Sequence, residues 1–254
     1  MRKGCASVSA RSSRPSIAEL RAATQPPSIF ERNSGEHWAG KLYVRRASPY
    51  ATRLLLGLHP NTVTWLMLLA GIAAGGVLAL GDQTVWPAVA AFALIQLQIL
   101  LDCSDGEVAR WKGISSPVGI YLDRLAHWLT ETALPIGLGI GAGEPLLGLV
   151  AAVLQLIIKG ESALVAVTRL EAELPKLADR ADVVAPNPSL LRTARRVLAK
   201  APFYRVFVAV EFTGLALIAA LLDLEVELLW ALIVAGGLTA LLRLVAILTS
   251  DRLR

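Results

Sequence analysis

Apolar runs close to membrane-spanning length recur along the chain at about 63–80, 85–101, 117–141, 145–168, 206–222 and 227–249, separated by short polar or turn-forming links. About twenty consecutive apolar residues cross a bilayer as a helix, and tilt and single polar interruptions widen that range. The pattern predicts an all-α, polytopic membrane protein with six transmembrane helices. Ahead of them, "KLYVRRASPYATRLLLGL" (41–58) interleaves Lys41, Arg45, Arg46 and Arg53 with Leu, Val and Tyr. That mixture suits an interfacial amphipathic helix on the membrane surface, with Pro49 marking a break. "HPNTVT" then turns the chain, and Asn61 or Thr62 is placed to cap the first spanning helix. Residues 1–40, rich in Ser, Arg and Pro, read as a flexible cytoplasmic tail in which "SIAELRAA" suits a short helix, leaving 41–254 as the membrane domain.

Composition strengthens this reading. Hydrophobic residues make up 55% of the 254 and the mean hydropathy is +0.56, too apolar for an ordinary soluble domain. The net charge of +5 does not point to nucleic acid, because Lys and Arg sit beside apolar runs; anionic lipid headgroups or phosphate substrates fit better. Cys5 and Cys103 cannot form a disulfide framework and read as reduced thiols. No apolar core followed by a cleavage site occurs in the first 40 residues, so no signal peptide is expected. The links "GDQT", "GAGEP" and "DLEVE" contain no Lys or Arg, whereas 41–58 holds four and 169–205 holds eight, which predicts both termini inside. Within 169–205, "LLRTARRVLAKAPFYR" suits a second, basic interfacial helix.

The chemistry concentrates where the second run meets the third, "LLDCSDGEVARWKGISSPVGIYLDRLAH". Asp102 and Asp105 are three apart and share a helix face, as do Gly119, Asp123 and His127 at spacings of four. A short turn between antiparallel helices lets the two faces meet. Three carboxylates and an imidazole in one pocket are costly at a membrane unless cations bind, and hard divalent ions suit carboxylate oxygens and shared phosphates. Gly106, Ala109 and Gly119 remove bulk beside the acids, and Arg110 offers a fork for a phosphate or a carboxylate.

The string Asp102-x2-Asp105-Gly106-x2-Ala109-Arg110-x8-Gly119-x3-Asp123-x3-His127 closely resembles the signature of the CDP-alcohol phosphotransferase family, D-x2-D-G-x2-A-R-x7/8-G-x3-D-x3-D. "HPNTVT" is similar to the segment that opens the first helix in that family. The resemblance covers roughly 41–250 and implies transfer of a phosphoalcohol from a CDP-alcohol to a second hydroxyl, with release of CMP. It implies that Asp102, Asp105 and Asp123, with His127, hold two divalent cations, Mg²⁺ or Mn²⁺. It also implies that Gly106, Ala109, Arg110 and Gly119, with Asn61 and Thr64, form the nucleotide site, and that the protein is a homodimer. The departure is His127, which stands where the family has an aspartate serving as base and ligand. His127 can act as the base, as a ligand or acceptor contact, or mark an impaired site.

The expected partners are a CDP-lipid donor such as CDP-diacylglycerol, a hydroxyl acceptor and membrane lipids. The alternatives are a soluble CDP-alcohol with a lipid acceptor, a metal- or nucleotide-binding membrane protein without turnover, and an ion transporter. A transporter would carry its charges near the bilayer midplane, whereas these acids gather at one helix end. Lys159, Glu161, Glu211 and Arg243 interrupt later apolar runs. They suit structural ion pairs, or Lys159, Arg243 or Arg205 meets an anionic substrate. Glu131, four residues beyond His127, is placed to orient its imidazole.

Overall fold

The computed structural model describes residues 15–27, 39–81, 84–174, 206–249 and 253. The expected basic helix of 190–205, and Arg205, lie outside them. Helices follow in the order α1 Ile17–Thr24, α2 Arg45–Leu55, α3 Pro60–Leu78, α4 Trp86–Lys112, α5 Pro117–Gly141, α6 Pro145–Glu171, α7 Ala209–Leu222 and α8 Glu225–Thr249. No strand occurs among the described residues. Four helices among them are long and apolar enough to cross a membrane: α3, α4, α6 and α8. The other two expected spans are also helical. α5 has the length but carries Asp123, Arg124 and Glu131, and α7 is a shorter apolar helix of 14 residues.

The chain divides into two compact units, Met1–Leu66 with Ile99–Leu122, and Met67–Gln98 with Asp123–Arg254. In the first, α1 opens with a capping box: Glu19 N–H donates to Ser16 Oγ at 3.2 Å, and Ser16 N–H donates to Glu19 Oε2 at 2.7 Å. Eight residues make too short a helix to persist alone in water, so tertiary contacts hold it, with Leu20 fully buried.

A π-helical turn, Gly40–Val44, runs into α2. Pro49 does not break α2, contrary to the sequence expectation. A proline lacks the N–H that would bond the carbonyl four residues back, which is that of Arg45. Gln25 Nε2 donates to that carbonyl oxygen at 2.8 Å, so the helix passes through Pro49 with the orphan satisfied. α2 buries Ser48, Pro49 and Thr52 and exposes Arg46, Tyr50, Arg53 and Leu54, the amphipathic division expected of a surface helix.

His59, and not Asn61 or Thr62, caps α3: its Nδ1 accepts from Asn61 N–H at 3.2 Å, with Pro60 as the first helical residue. α4 runs well past 101, through the whole acidic segment, to Lys112. It stops in a Schellman turn in which Ile114 N–H reaches Ala109 O at 2.9 Å and Gly113 takes φ +66°, a backbone geometry that favours glycine. Four residues later Pro117 opens α5, whose first turn is capped by Ser116 Oγ accepting from Gly119 N–H at 3.0 Å.

In the second unit, glycines set the helix spacing. A Cβ at Gly75 would lie 2.7 Å from the Ala133 carbonyl oxygen, and one at Gly137 would collide with the Gly75 carbonyl, so α3 and α5 meet backbone to backbone. Gly139 and Gly148 do the same for α5 and α6. Small residues allow such approach where lipid removes the hydrophobic drive between helices. The charges within the apolar helices pair: Lys159 Nζ lies 3.0 Å from Glu131 Oε2, and Arg243 Nε lies 3.4 Å from Glu161 Oε2 and also donates through Nη2 to Ser162.

Candidate metal centre

The helical course of α4 through Lys112 turns the acidic segment into a stripe. Asp102, Asp105, Gly106, Ala109 and Arg110 are half-buried, while Leu101, Cys103, Ser104, Glu107 and Val108 are buried. Spacings of three and four keep the first set on one face. On α5, Gly119, Asp123 and His127 follow one another turn by turn and are likewise half-buried. His127 Nε2 lies 3.6 Å from Asp123 Oδ1.

Asp102 on α4, and Asp123 with His127 on α5, supply two carboxylates and an imidazole. Ligand atoms facing each other across a Mg²⁺ ion, each at about 2.1 Å, stand about 4.2 Å apart, so the 3.6 Å between His127 Nε2 and Asp123 Oδ1 is within the span of two ligands on one ion. Two carboxylate oxygens suit a hard divalent cation, and the imidazole nitrogen broadens the choice toward softer ones. This donor set can therefore hold a divalent metal.

Asp105 stands beside this group in the sequence but has a partner of its own. Thr64 Oγ1, buried in the first turns of α3, donates to Asp105 Oδ2 at 2.7 Å. Asn61, one turn earlier, approaches Gly119: a Cβ there would stand 3.2 Å from Asn61 Oδ1. Gly106 lies under Arg110, since a Cβ at 106 would meet Arg110 Nη1 at 3.0 Å. Arg110 Nε donates to the Thr24 carbonyl at 2.6 Å. Ala109, between these, adds only a methyl to the half-buried face.

The Glu131 carboxylate is engaged by Lys159 and by Gln155 Nε2 on α6. That engagement also gives Lys159 a structural ion pair, as Glu161 does for Arg243.

Glu107 was not singled out by the sequence. It is fully buried and accepts from Ser48 Oγ at 2.5 Å, Thr52 Oγ1 at 2.7 Å, Gln25 Nε2 at 2.9 Å and Arg45 Nη1 at 3.3 Å. A buried carboxylate is tolerable only when so supplied with donors. The signal was present as an acid inside an apolar stretch, but its donors lie more than fifty residues upstream.

No curated protein matches the chain. Residues 57–238 match the CDP-alcohol phosphatidyltransferase family, a span that contains α3 to α7, most of α8 and every metal-ligating candidate above. Asp102, Asp123 and His127 lie within that match, and the chain belongs to the CDP-alcohol phosphatidyltransferase family of membrane enzymes.

Proposed function

We propose that this protein moves a phosphatidyl-type group from a CDP-lipid, with CDP-diacylglycerol as the expected donor, to a hydroxyl acceptor, releasing CMP. The observation that carries the reading is the match of residues 57–238 to the CDP-alcohol phosphatidyltransferase family, a span that holds Asp102, Asp105, Asp123 and His127. In this reading Asp102, Asp105 and Asp123 hold two divalent cations, Mg²⁺ or Mn²⁺. Bound there, the cations would neutralise the donor's diphosphate and the charge on the oxygens of an in-line displacement.

The chain's own residues do the rest. Thr64 holds the Asp105 carboxylate through its hydroxyl. Gly106, Ala109 and Gly119 keep the faces of α4 and α5 low enough for a nucleotide to lie against them, and Asn61 and Arg110 supply polar contacts to it. His127, one turn from Asp123 and with its ring 37% exposed, takes the acceptor hydroxyl's proton as that oxygen attacks the donor's β-phosphorus. The P–O bond to CMP breaks, and CMP leaves with the electron pair.

The site faces the cytoplasm and both termini lie inside, a reading supported by the absence of Lys and Arg from the three links placed outside. Labelling of Leu224→Cys in intact cells by a membrane-impermeant maleimide tests it: reaction from outside supports the orientation, and protection there reverses it. A homodimer follows from family membership alone, and the mass of the protein in nanodiscs tests it.

CMP release by purified protein, given CDP-diacylglycerol and a panel of alcohols with Mg²⁺ or Mn²⁺, tests the function. Metal-dependent release supports it. Release only from a soluble CDP-alcohol with diacylglycerol would reverse which substrate carries the acyl chains, and no release from any donor would leave a binding protein.

A further inference from the structure

The match to the family begins at 57, yet the residues before it reach the signature segment of α4 directly. α1 ends against α4, where the Thr24 carbonyl accepts from Arg110 Nε at 2.6 Å. The next residue, Gln25, donates through one amide nitrogen to Glu107 Oε1 at 2.9 Å, to the Arg45 carbonyl at 2.8 Å and to Ser48 Oγ at 3.3 Å. Arg21 adds a bond from Nη2 to the Arg46 carbonyl at 3.3 Å.

These contacts have a common origin in chain chemistry. Pro49 removes the helical donor for the Arg45 carbonyl, which creates an acceptor that only an outside group can fill. Glu107, buried among Ser48, Thr52 and Arg45, presents Oε1 beside it. A side-chain amide satisfies both, and Gln25 provides it. Seating Gln25 in turn fixes its neighbour, Thr24, whose side chain is itself tied by Oγ1 to Leu20 O at 2.7 Å. The carbonyl at the C-terminal end of α1 carries the negative end of the helix dipole, a suitable partner for a guanidinium.

Held through Nε, the Arg110 side chain lies back over Gly106, with Nη1 nearest. Helical side chains lean toward the N-terminus, and position 106 is the residue one turn back on that side. The guanidinium therefore extends along the stripe that carries Asp105 and Asp102. We propose that Gln25 and Glu107 are positioning residues for the donor's diphosphate: they clamp the end of α1 so that Thr24 holds the Arg110 fork along the acidic stripe. This inference rests on the reading of Arg110 as a donor-facing group. It assigns a role in the reaction to a segment upstream of the family match.

Gln25→Ala tests the clamp, because Gln25 is only half-buried and its loss leaves Glu107 its other donors. The variant should raise the KM for CDP-diacylglycerol about five- to tenfold, the scale of a lost bond to a charged group, with kcat and the acceptor KM little changed. In an Arg110→Lys background, which lacks the Nε donor, the same substitution should add less than about twofold, since residues acting through one another are not additive. Glu107→Gln should follow Gln25→Ala in direction. If the wild-type protein releases no CMP, the proposed function fails, and the clamp is then read from binding of CDP with Mg²⁺ by titration calorimetry, where Gln25→Ala should weaken affinity about five- to tenfold. An unchanged donor KM or CDP affinity, full additivity with Arg110→Lys, or no CDP binding by the wild-type protein would each overturn the clamp.

Discussion

Thr64 on α3 donates its hydroxyl to Asp105 on α4 at 2.7 Å, and this bond joins the opening turns of one spanning helix to the acidic stripe of the next. Thr64 is buried, so the bond is shielded from competing water. Thr64→Val keeps the shape and removes the donor. It should lower kcat/KM about tenfold, equivalent to about 1.4 kcal/mol, and raise the Mn²⁺ concentration needed for half-maximal CMP release. Thr64→Ser should stay within about threefold of wild type. A metal titration of the three proteins checks both outcomes.

His127 stands one turn from Asp123, with Nε2 at 3.6 Å from its carboxylate. If it removes the acceptor's proton, His127→Ala should reduce turnover about 10²-fold or more while leaving donor affinity within a few-fold. His127→Asp restores an acidic group and should recover much of the lost rate. Single-turnover CMP release together with donor binding separates these effects. Unchanged turnover in the alanine variant would move proton acceptance to another group.

Helix packing yields a prediction independent of chemistry. A Cβ at Gly137 would run into the Gly75 carbonyl, whereas one at Gly237 meets nothing within 4 Å. Gly137→Ala should destabilise the protein by about 1–3 kcal/mol, the usual result of overpacking a rigid contact. Gly237→Ala, in the interior of α8, should be neutral or stabilise by a few tenths of a kcal/mol. Thermal unfolding in detergent compares them.

The Glu19 carboxyl is held below its usual range because Ser16 donates to it from both its backbone N–H and its hydroxyl. A group whose pKa falls on folding adds stability above its unfolded value, about 4.3, and loses that contribution as pH drops through the folded value. α1 should therefore loosen as pH falls below about 4. A nitroxide attached at Ala23, on the exposed side of α1, should gain mobility over that window in the wild-type background. In Glu19→Gln the label should be more mobile at neutral pH and change little on acidification.

The main lines of the fold and site were legible because they rest on local spacing. Apolar runs announce helices, and intervals of three and four place Asp102 with Asp105 and Asp123 with His127 on shared faces. What escaped the sequence depends on distant donors. Pro49 reads as a break until Gln25, twenty-four residues upstream, is seen to fill the acceptor it leaves. Glu107 reads as one more acid beside Asp105 until Ser48, Thr52 and Arg45 close around it. Glu131 lies on the His127 face by spacing, yet it also meets Lys159 on the following helix, a partner that spacing within α5 does not reveal. The cap of α3 went to His59 because Pro60 occupies the first helical position, leaving Asn61 within the helix and its side chain beside Gly119.

The claim on which all of this turns is that Asp102, Asp105 and Asp123, the acids of the signature, hold divalent cations. Crystals grown with Mn²⁺ and CDP, measured at the manganese absorption edge, address it most directly. An anomalous peak among these three side chains, lost in Asp123→Asn, is the predicted result. Manganese bound only elsewhere, with none at these residues while CDP is present, would contradict it.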